Sequence, residues 1–113
     1  MDVHSFLMRN QIAVCVVLER SSKRYLLFRN ETESLDSLTL FRQLVFGTAF
    51  DDLCCYLDGQ ELLPRMLGQG NVQCIMFPNQ DQDVVCLFFC DDSDAVTLFR
   101  RCTQMMQDYL AES

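Results

Sequence analysis

Two stretches of this sequence, residues 12–18 and 84–90, are apolar at every position. Their content of β-branched and aromatic residues predicts β-strands. Successive side chains of a strand point to opposite faces of its sheet, so a strand that never alternates with polar residues must be buried on both faces. The sheet predicted from these strands therefore needs cover on two sides, and this requirement constrains the fold more than any other feature of the chain.

Two shorter strands extend this sheet. Residues 25–28 follow the first apolar strand across the polar stretch 20–22. Residues 72–77 precede the last apolar strand across the polar stretch 78–82. Each pair has the spacing and the polar loop of a β-hairpin. We therefore predict two hairpins within one antiparallel sheet.

Two amphipathic helices are predicted beside these strands. The first begins after Ser34 or Asp36 as its cap and runs to about residue 57. The second begins after Asp92 or Ser93 and spans residues 95–110. In both helices the apolar residues recur at spacings of three and four, which places them along one side. Because the sheet needs two covers, we expect one helix on each face, or a partner that supplies part of the cover.

Leu40 and Leu44 are predicted to fall away from the main apolar stripe of the first helix. Single leucines on a protein surface are common and need no function. The first helix is, however, apolar over an unusually wide arc, and an exposed apolar patch indicates a protein contact. Leu40 and Leu44 are therefore candidate interface residues.

Residues 60–67 form a second candidate interface segment. This segment contains Leu62, Leu63, Met66 and Leu67 around Pro64. It is either a short helix or an edge strand, because proline is tolerated in a strand only at the edge of a sheet. The first ten residues are equally open: a short helical or extended lead-in that docks on the body, or a frayed end.

Length and charge restrict the class of protein. The 113 residues predict a single domain spanning 1–113, and half of them are hydrophobic. No apolar stretch approaches the roughly 20 residues of a membrane-spanning helix, and no basic segment predicts a signal peptide. A net charge of −7 with scattered basic residues argues against nucleic acid and anionic membranes. A basic partner surface would complement this charge, although acidity commonly serves solubility alone.

The seven cysteines predict buried thiols in a reducing compartment, cytosol or nucleus. Their number is odd, and most lie inside apolar strands or on the apolar side of a helix. No Cys-x-x-Cys pair occurs and His4 is the only histidine, so no metal site is expected. The adjacent pair Cys54-Cys55 is the one place where a reactive, exposed thiol is conceivable.

No catalytic constellation is apparent in the sequence. A nucleophile needs a nearby base, and the single histidine lies in the N-terminal lead. The carboxylate pairs at 51–52, 81/83 and 91–92 adjoin helix ends or turns, where capping and solvation account for them. No glycine-rich nucleotide-binding loop occurs. We therefore expect neither an enzyme nor a cofactor.

The closing stretch of the chain carries a resemblance to a known family. Residues 84–90, the acidic turn 91–94 and the helix 95–110 resemble the buried strand, turn and helix that close longin-like adaptor subunits. In element order, β-β-α-(β)-β-β-α, the whole chain resembles the longin and roadblock superfamily. That resemblance implies an α+β fold with a central antiparallel sheet and helices on both faces. It also implies a non-catalytic module that dimerises through a sheet edge or a helix and scaffolds small GTPases, their exchange factors or vesicle-coat machinery.

The leading hypothesis is a cytoplasmic interaction module that is dimeric or part of a larger assembly. Its partners could hold it at endomembranes. A free sheet edge and excess apolar surface favour it independently of the resemblance. One alternative is a small acidic chaperone, or a viral regulatory protein that binds a host factor. The other is a thiol-dependent redox protein that uses Cys54 or Cys55.

Overall fold

A computed structural model describes residues 2–19, 21–22, 24–45 and 65–112 of the protein. Five strands form one antiparallel sheet, and three helices flank it. The strands are β1 (Val14–Glu19), β2 (Arg24–Arg29), β3 (Arg65–Gln69), β4 (Val72–Pro78) and β5 (Val84–Cys90); the helices are α1 (Val3–Asn10), α2 (Thr39–Val45) and α3 (Ala95–Glu112). The strand order across the sheet is β2-β1-β5-β4-β3, which places the two fully apolar strands, β1 and β5, side by side inside it.

The predicted fold class is confirmed: the sheet is antiparallel and carries helices on both faces. All four strands predicted from the sequence are present, each within two residues of its expected bounds. For the uncertain segment 60–67, the described part is an edge strand, since β3 begins at Arg65 and pairs only with β4 among the described residues.

One face of the sheet is covered by α2. Its buried residues Leu40, Phe41, Leu44 and Val45 lie over the β1 and β5 side chains that point to this face. Phe41 meets Phe88 edge to face, with ring centroids 5.2 Å apart. This geometry is the favourable one for two aromatic rings and adds to the energy of burial.

The opposite face is covered by α1 and α3 together. Phe6 and Leu7 of α1 are fully buried there, as are Leu87 and Phe89 of β5. Tyr109 of α3 joins the layers, because its ring lies 5.4 Å from that of Phe6 and 5.5 Å from that of Phe77. The N-terminal lead is therefore a docked helix, and it supplies cover that the two predicted helices lacked.

Helix α1 is short but well bounded. The Asp2 carboxylate caps it, accepting from the Ser5 backbone amide at 3.3 Å and from the Ser5 hydroxyl at 2.8 Å. The helix ends at Gln11, which adopts the left-handed conformation with φ at 55°. The chain then turns directly into β1, and this short connection holds the helix against the sheet.

Helix α2 begins later than the sequence predicted. Its first residue is Thr39, and neither Ser34 nor Asp36 caps it. Both residues have other partners: the Ser34 carbonyl accepts from the thiol of Cys90 in β5 at 3.5 Å, and the Asp36 carboxylate accepts from the side chain of Asn71 in the turn between β3 and β4. Residues 46–57 of the predicted helix lie outside the described residues.

The expectation that Leu40 and Leu44 lie away from the core-facing stripe is wrong. Their side chains are 9% and 8% exposed and belong to the same buried cluster as Phe41 and Val45. The buried side of α2 is wide: it contains Phe41 and Val45 and also the residue before each of them.

The cap of α3 also differs from the prediction. Asp94, and not Asp92 or Ser93, is the residue before the helix, and its carboxylate accepts from the Thr97 amide at 2.8 Å. This bond and one to the Thr97 side chain lower the pKa of Asp94. The nearby Ser93 amide donates to Asp91 instead, at 2.7 Å.

Because β5 is buried on both faces, replacing either of two adjacent residues in it should destabilise the protein. Phe88 and Phe89 point to opposite faces and are both fully buried. We expect Phe88→Ala and Phe89→Ala each to lower the free energy of unfolding by about 3–5 kcal/mol, measured by urea denaturation.

The matched control is Phe99→Ala, because Phe99 is 63% exposed on α3. We expect that change to stay within about 0.5 kcal/mol of the wild type. A near-neutral result for Phe88→Ala or Phe89→Ala would contradict the two-sided core, since one face would then lack cover.

Candidate interaction surfaces

The two edge strands carry the most exposed residues of the sheet. Strands β2 and β3 lie at its ends, and each pairs with one neighbour among the described residues. All five residues of β3 are exposed, including Met66 and Leu67 at 38% each. An edge strand presents backbone donors and acceptors to a partner, so apolar side chains beside them favour strand pairing with another chain.

Strand β2 exposes apolar side chains on both faces of the sheet. Leu26 is 47% exposed and Leu27 is 40% exposed. Leu27 pairs with Val16, which faces α2, whereas Leu26 pairs with Val17, which faces α1 and α3. Tyr25, 45% exposed, shares the α2 side with Leu27, since it pairs with Leu18. A partner strand laid along β2 would therefore cover apolar groups above and below the sheet.

The structure separates the six candidate interface residues. Met66 and Leu67 lie together on the β3 edge. Leu40 and Leu44 are buried in the core and offer no surface. Leu62 and Leu63 lie outside the described residues. The β2 surface was not predicted, although the sequence held a signal for it: the apolar stretch 25–28 is bracketed by Arg24 and Arg29.

A smaller exposed apolar site lies on α3. Val96 is 62% exposed and Phe99 is 63% exposed, and their spacing of three places them on one side of the helix. Arg100 beside them is also exposed. Two side chains form a small patch, and isolated surface hydrophobics of this kind are ordinary.

Arg101 joins α1, β5 and α3 at one corner of the structure. Its guanidinium donates to the Asp91 carboxylate at 2.7 Å and to the carbonyl oxygen of Asn10 at 3.1 Å. It also lies 4.6 Å from the centroid of the Phe89 ring, over its face. These contacts link the two helices to the sheet, so Arg101 has a structural role; we call its pairing with Asp91 the tie.

Asp91 is the acid of this tie, and its side chain is only 8% exposed. Burial by itself would raise its pKa, but hydrogen bonds from Ser93 and Arg101 outweigh that effect and leave the pKa below the ordinary 3.8. A second, exposed link joins α1 to α3, where Arg9 pairs with Asp108 at 3.2 Å and with Glu112 at 2.7 Å. An exposed pair of this kind is screened by water and salt and contributes little to stability.

The described cysteines are free thiols, and four of the five are buried. Burial raises the pKa of Cys15 to about 12 and that of Cys102 to about 11. Burial likewise raises the pKa of Cys74 well above its ordinary value. A thiol of this kind stays protonated at neutral pH and is a poor nucleophile. These residues act as small core hydrophobes, and Cys54 and Cys55 lie outside the described residues.

A cavity of about 520 Å³ opens beside the end of β2. Its wall combines the apolar residues Leu35 and Leu38 with the charged residues Arg29, Glu31 and Glu33. Its one buried polar residue is Asn30, whose side-chain oxygen accepts from the Thr32 amide and hydroxyl at 3.0 and 2.7 Å. Because that group is already bonded, the cavity has little with which to orient a small molecule.

Residues able to hold a metal ion do not assemble in the described part of the chain, where no three His, Cys, Asp or Glu side chains come together. Among the described helices, none is long and apolar enough to cross a membrane. The interaction surfaces at the sheet edges are thus the main candidate sites.

The architecture is longin/roadblock-like, as the element order predicted. Among solved structures the chain is similar to MglB from Myxococcus xanthus, with a TM-score of 0.52. The match covers 95% of this chain and 87% of that chain at 10% sequence identity, so the similarity shows the fold alone. No family model and no curated protein sequence matches the chain.

The tie between Asp91 and Arg101 predicts an acid-dependent loss of stability. Because the folded-state pKa of Asp91 is lowered, its contribution is complete above the unfolded pKa and is lost as the pH falls through the folded one, below 3.8. We expect Asp91→Asn to cost about 2 kcal/mol at pH 6 in urea denaturation, and the difference from the wild type to shrink toward pH 3.

Asp92→Asn is the matched control, since Asp92 is the exposed neighbour. Its cost should stay within about 0.5 kcal/mol at both pH values. A cost for Asp91→Asn that is independent of pH would show that packing, and not charge, accounts for the tie.

The buried thiols predict a graded pattern of alkylation. With iodoacetamide at pH 8 and mass-spectrometric readout, Cys15, Cys74, Cys86 and Cys102 should react far more slowly than in the denatured protein. Cys90 is half-buried and should react first among the described five. Rapid modification of any of the four buried thiols in the folded protein would contradict their placement in the core.

Proposed function

We propose that this protein is a non-catalytic interaction subunit, dimeric or part of a heteromeric complex, that scaffolds small-GTPase regulation or vesicle trafficking in the cytoplasm. The observation that carries the proposal is the exposure of apolar side chains at both sheet edges, Met66 and Leu67 on β3 and Leu26 and Leu27 on β2. Both faces of the central strands β1, β4 and β5 are buried, so the edge strands are where a partner can add.

The energy available at an edge supports a specific contact. A partner strand would satisfy the outward backbone groups of the edge and cover side chains that are 38–47% exposed. Burial of apolar area contributes about 25 cal/mol per Å², so these side chains alone contribute a few kcal/mol. A soluble protein that kept such edges bare would risk uncontrolled association, and a dedicated partner removes that risk.

The β3 edge is suited to pairing with a second copy of the chain. In an antiparallel pair centred on Leu67, Met66 would lie opposite Gly68 and Arg65 opposite Gln69 of the other copy. This register places no like charges directly opposite each other, which favours it. Leu62 and Leu63 precede this strand in the sequence and remain part of the proposed interface.

The link to small GTPases rests on the longin/roadblock-like fold. Members of this superfamily are implied, by the resemblance, to act as scaffolds and not as catalysts. Four of the five described thiols are buried, which disfavours a nucleophilic role for those four.

The first test is the oligomeric state. We expect the protein at micromolar concentration to sediment above its monomer mass of 13.1 kDa, alone or with a co-purified small GTPase. The double variant Met66→Asp/Leu67→Asp should weaken that association at least ten-fold, because two charges would be buried without partners at the edge.

Val96→Asp/Phe99→Asp is the matched control, since it places the same two charges on exposed positions of α3. It should leave the sedimenting mass unchanged. If the wild type is a stable monomer that retains no partner, or if both double variants behave alike, the proposed role of the β3 edge is wrong.

A further inference from the structure

The β2 edge differs from the β3 edge in its charge. Residues 20–29 contain four of the nine basic residues of the chain, Arg20, Lys23, Arg24 and Arg29, and no acid. The rest of the chain is strongly acidic, since the net charge is −7. On the strand itself, Arg24 and Arg29 are exposed and bracket the exposed side chains of Tyr25, Leu26 and Leu27. We call this surface, Arg24 to Arg29, the basic edge.

We propose that the basic edge binds an extended, acidic segment of a protein partner by strand addition, with β-branched or other apolar residues at its centre. This inference rests on the proposed function as an interaction subunit and names the chemistry of one of its partners. The apolar centre of the edge supplies contacts on both faces of the sheet, and the two arginines select acidic flanks.

A second copy of this chain is a poorer match for the same edge than an acidic strand. Each copy would bring its own Arg24 and Arg29, so four arginines would gather along one strand pair in which β2 supplies no acid. Like charges close together weaken strand pairing. A strand of opposite charge is therefore favoured over a second copy.

Protection of the edge against aggregation does not explain the whole surface. Charged residues on an edge strand commonly serve that purpose. A purely protective edge would not place three large apolar side chains, each at least 40% exposed, in succession between the charges. The combination of apolar centre and basic ends gives an acidic peptide both affinity and charge selectivity.

Three acids lie near the basic edge, but the ion pairs of the described residues include neither Arg24 nor Arg29. Glu19 lies opposite Arg24 in the β1–β2 pair, and its carboxylate accepts from the Ser22 hydroxyl at 2.9 Å. Glu31 and Glu33 share a cavity wall with Arg29, so the basic character is strongest toward Arg24. The acidic flank of the partner is therefore expected mainly at the Arg24 end.

The spacing of the two arginines fixes the length of the recognised segment. They are five positions apart, which corresponds to about 17 Å along a strand. Since this spacing is odd, Arg24 and Arg29 point to opposite faces of the sheet. The partner segment thus carries acids about five residues apart, on opposite faces, with four residues between them.

The test uses the full chain and a fluorescein-labelled peptide, Glu-Glu-Val-Thr-Val-Val-Glu-Glu, in a fluorescence anisotropy titration. Acids at both ends allow it to add in either direction. We expect saturable binding that weakens as the salt concentration rises. Replacement of all four peptide glutamates by lysine should weaken binding at least ten-fold, and this arm needs no protein variant.

The variant Arg24→Glu/Arg29→Glu should weaken binding roughly ten-fold or more. Its matched control is Arg42→Glu/Arg100→Glu, which gives the same net charge by changing exposed residues of α2 and α3. That control should bind within about two-fold of the wild type. Circular dichroism and urea unfolding show whether each variant is folded.

Backbone methylation of the peptide separates strand addition from other docking. A peptide N-methylated at alternate central residues retains one hydrogen-bonding edge and should still bind. A peptide N-methylated at every central residue has neither edge and should not bind. Binding of the fully methylated peptide would overturn strand addition.

Three further results would overturn the proposal. One is failure of the acidic peptide to bind, another is equal binding by the two charge-reversal variants. The third is that the protein binds vesicles containing phosphatidylserine instead of the peptide, and that Arg24→Glu/Arg29→Glu abolishes this vesicle binding. That result would assign the edge to a membrane surface. A protein that still assembles through β3 while failing these tests would leave the proposed function intact, so the two failures are distinguishable.

Discussion

Burial of β1 and β5 on both faces is the constraint on which the rest of the structure depends. Neither strand offers a polar side to water, so helices must lie above and below them. The chain meets this need with α2 on one face and with α1 and α3 on the other. The tie from Arg101 to Asp91 and to the end of α1 follows from the same need, because it holds the two covering helices in place.

The helices cover the central strands on both faces of the sheet, and this determines where partners can bind. Since the helices occupy both faces, the remaining sizeable apolar surfaces of the described sheet lie at its ends. The two ends are chemically different: β3 carries one arginine, whereas β2 carries an arginine at each end of its apolar centre. If β3 pairs with a second copy as proposed, β2 remains available to a partner of opposite charge.

The strands, the sheet and the two-sided core could be predicted because they follow from burial alone. Residues 84–90 can only be an interior strand, and Cys86 within them can only be a core thiol. Predictions failed where a tertiary contact outweighed a local preference. Asp36 binds Asn71 in place of capping a helix, and α2 begins at Thr39. Leu40 and Leu44 are buried because α2 packs on the sheet over a wide side. The edge position of β2 depends on strand order, which hairpin patterns do not determine.

Net charge is an average, and here it conceals the feature that matters for recognition. A value of −7 suggests a basic partner surface for the protein as a whole. Exposed charges interact over about 8 Å in physiological salt, so a partner on β2 senses the arginines of that strand more than the distant acids. The complement of the strand is therefore acidic, opposite to the complement of the molecule. The apolar side chains between the arginines distinguish an extended strand from a simple anion, because only a strand with apolar residues at its centre can cover them.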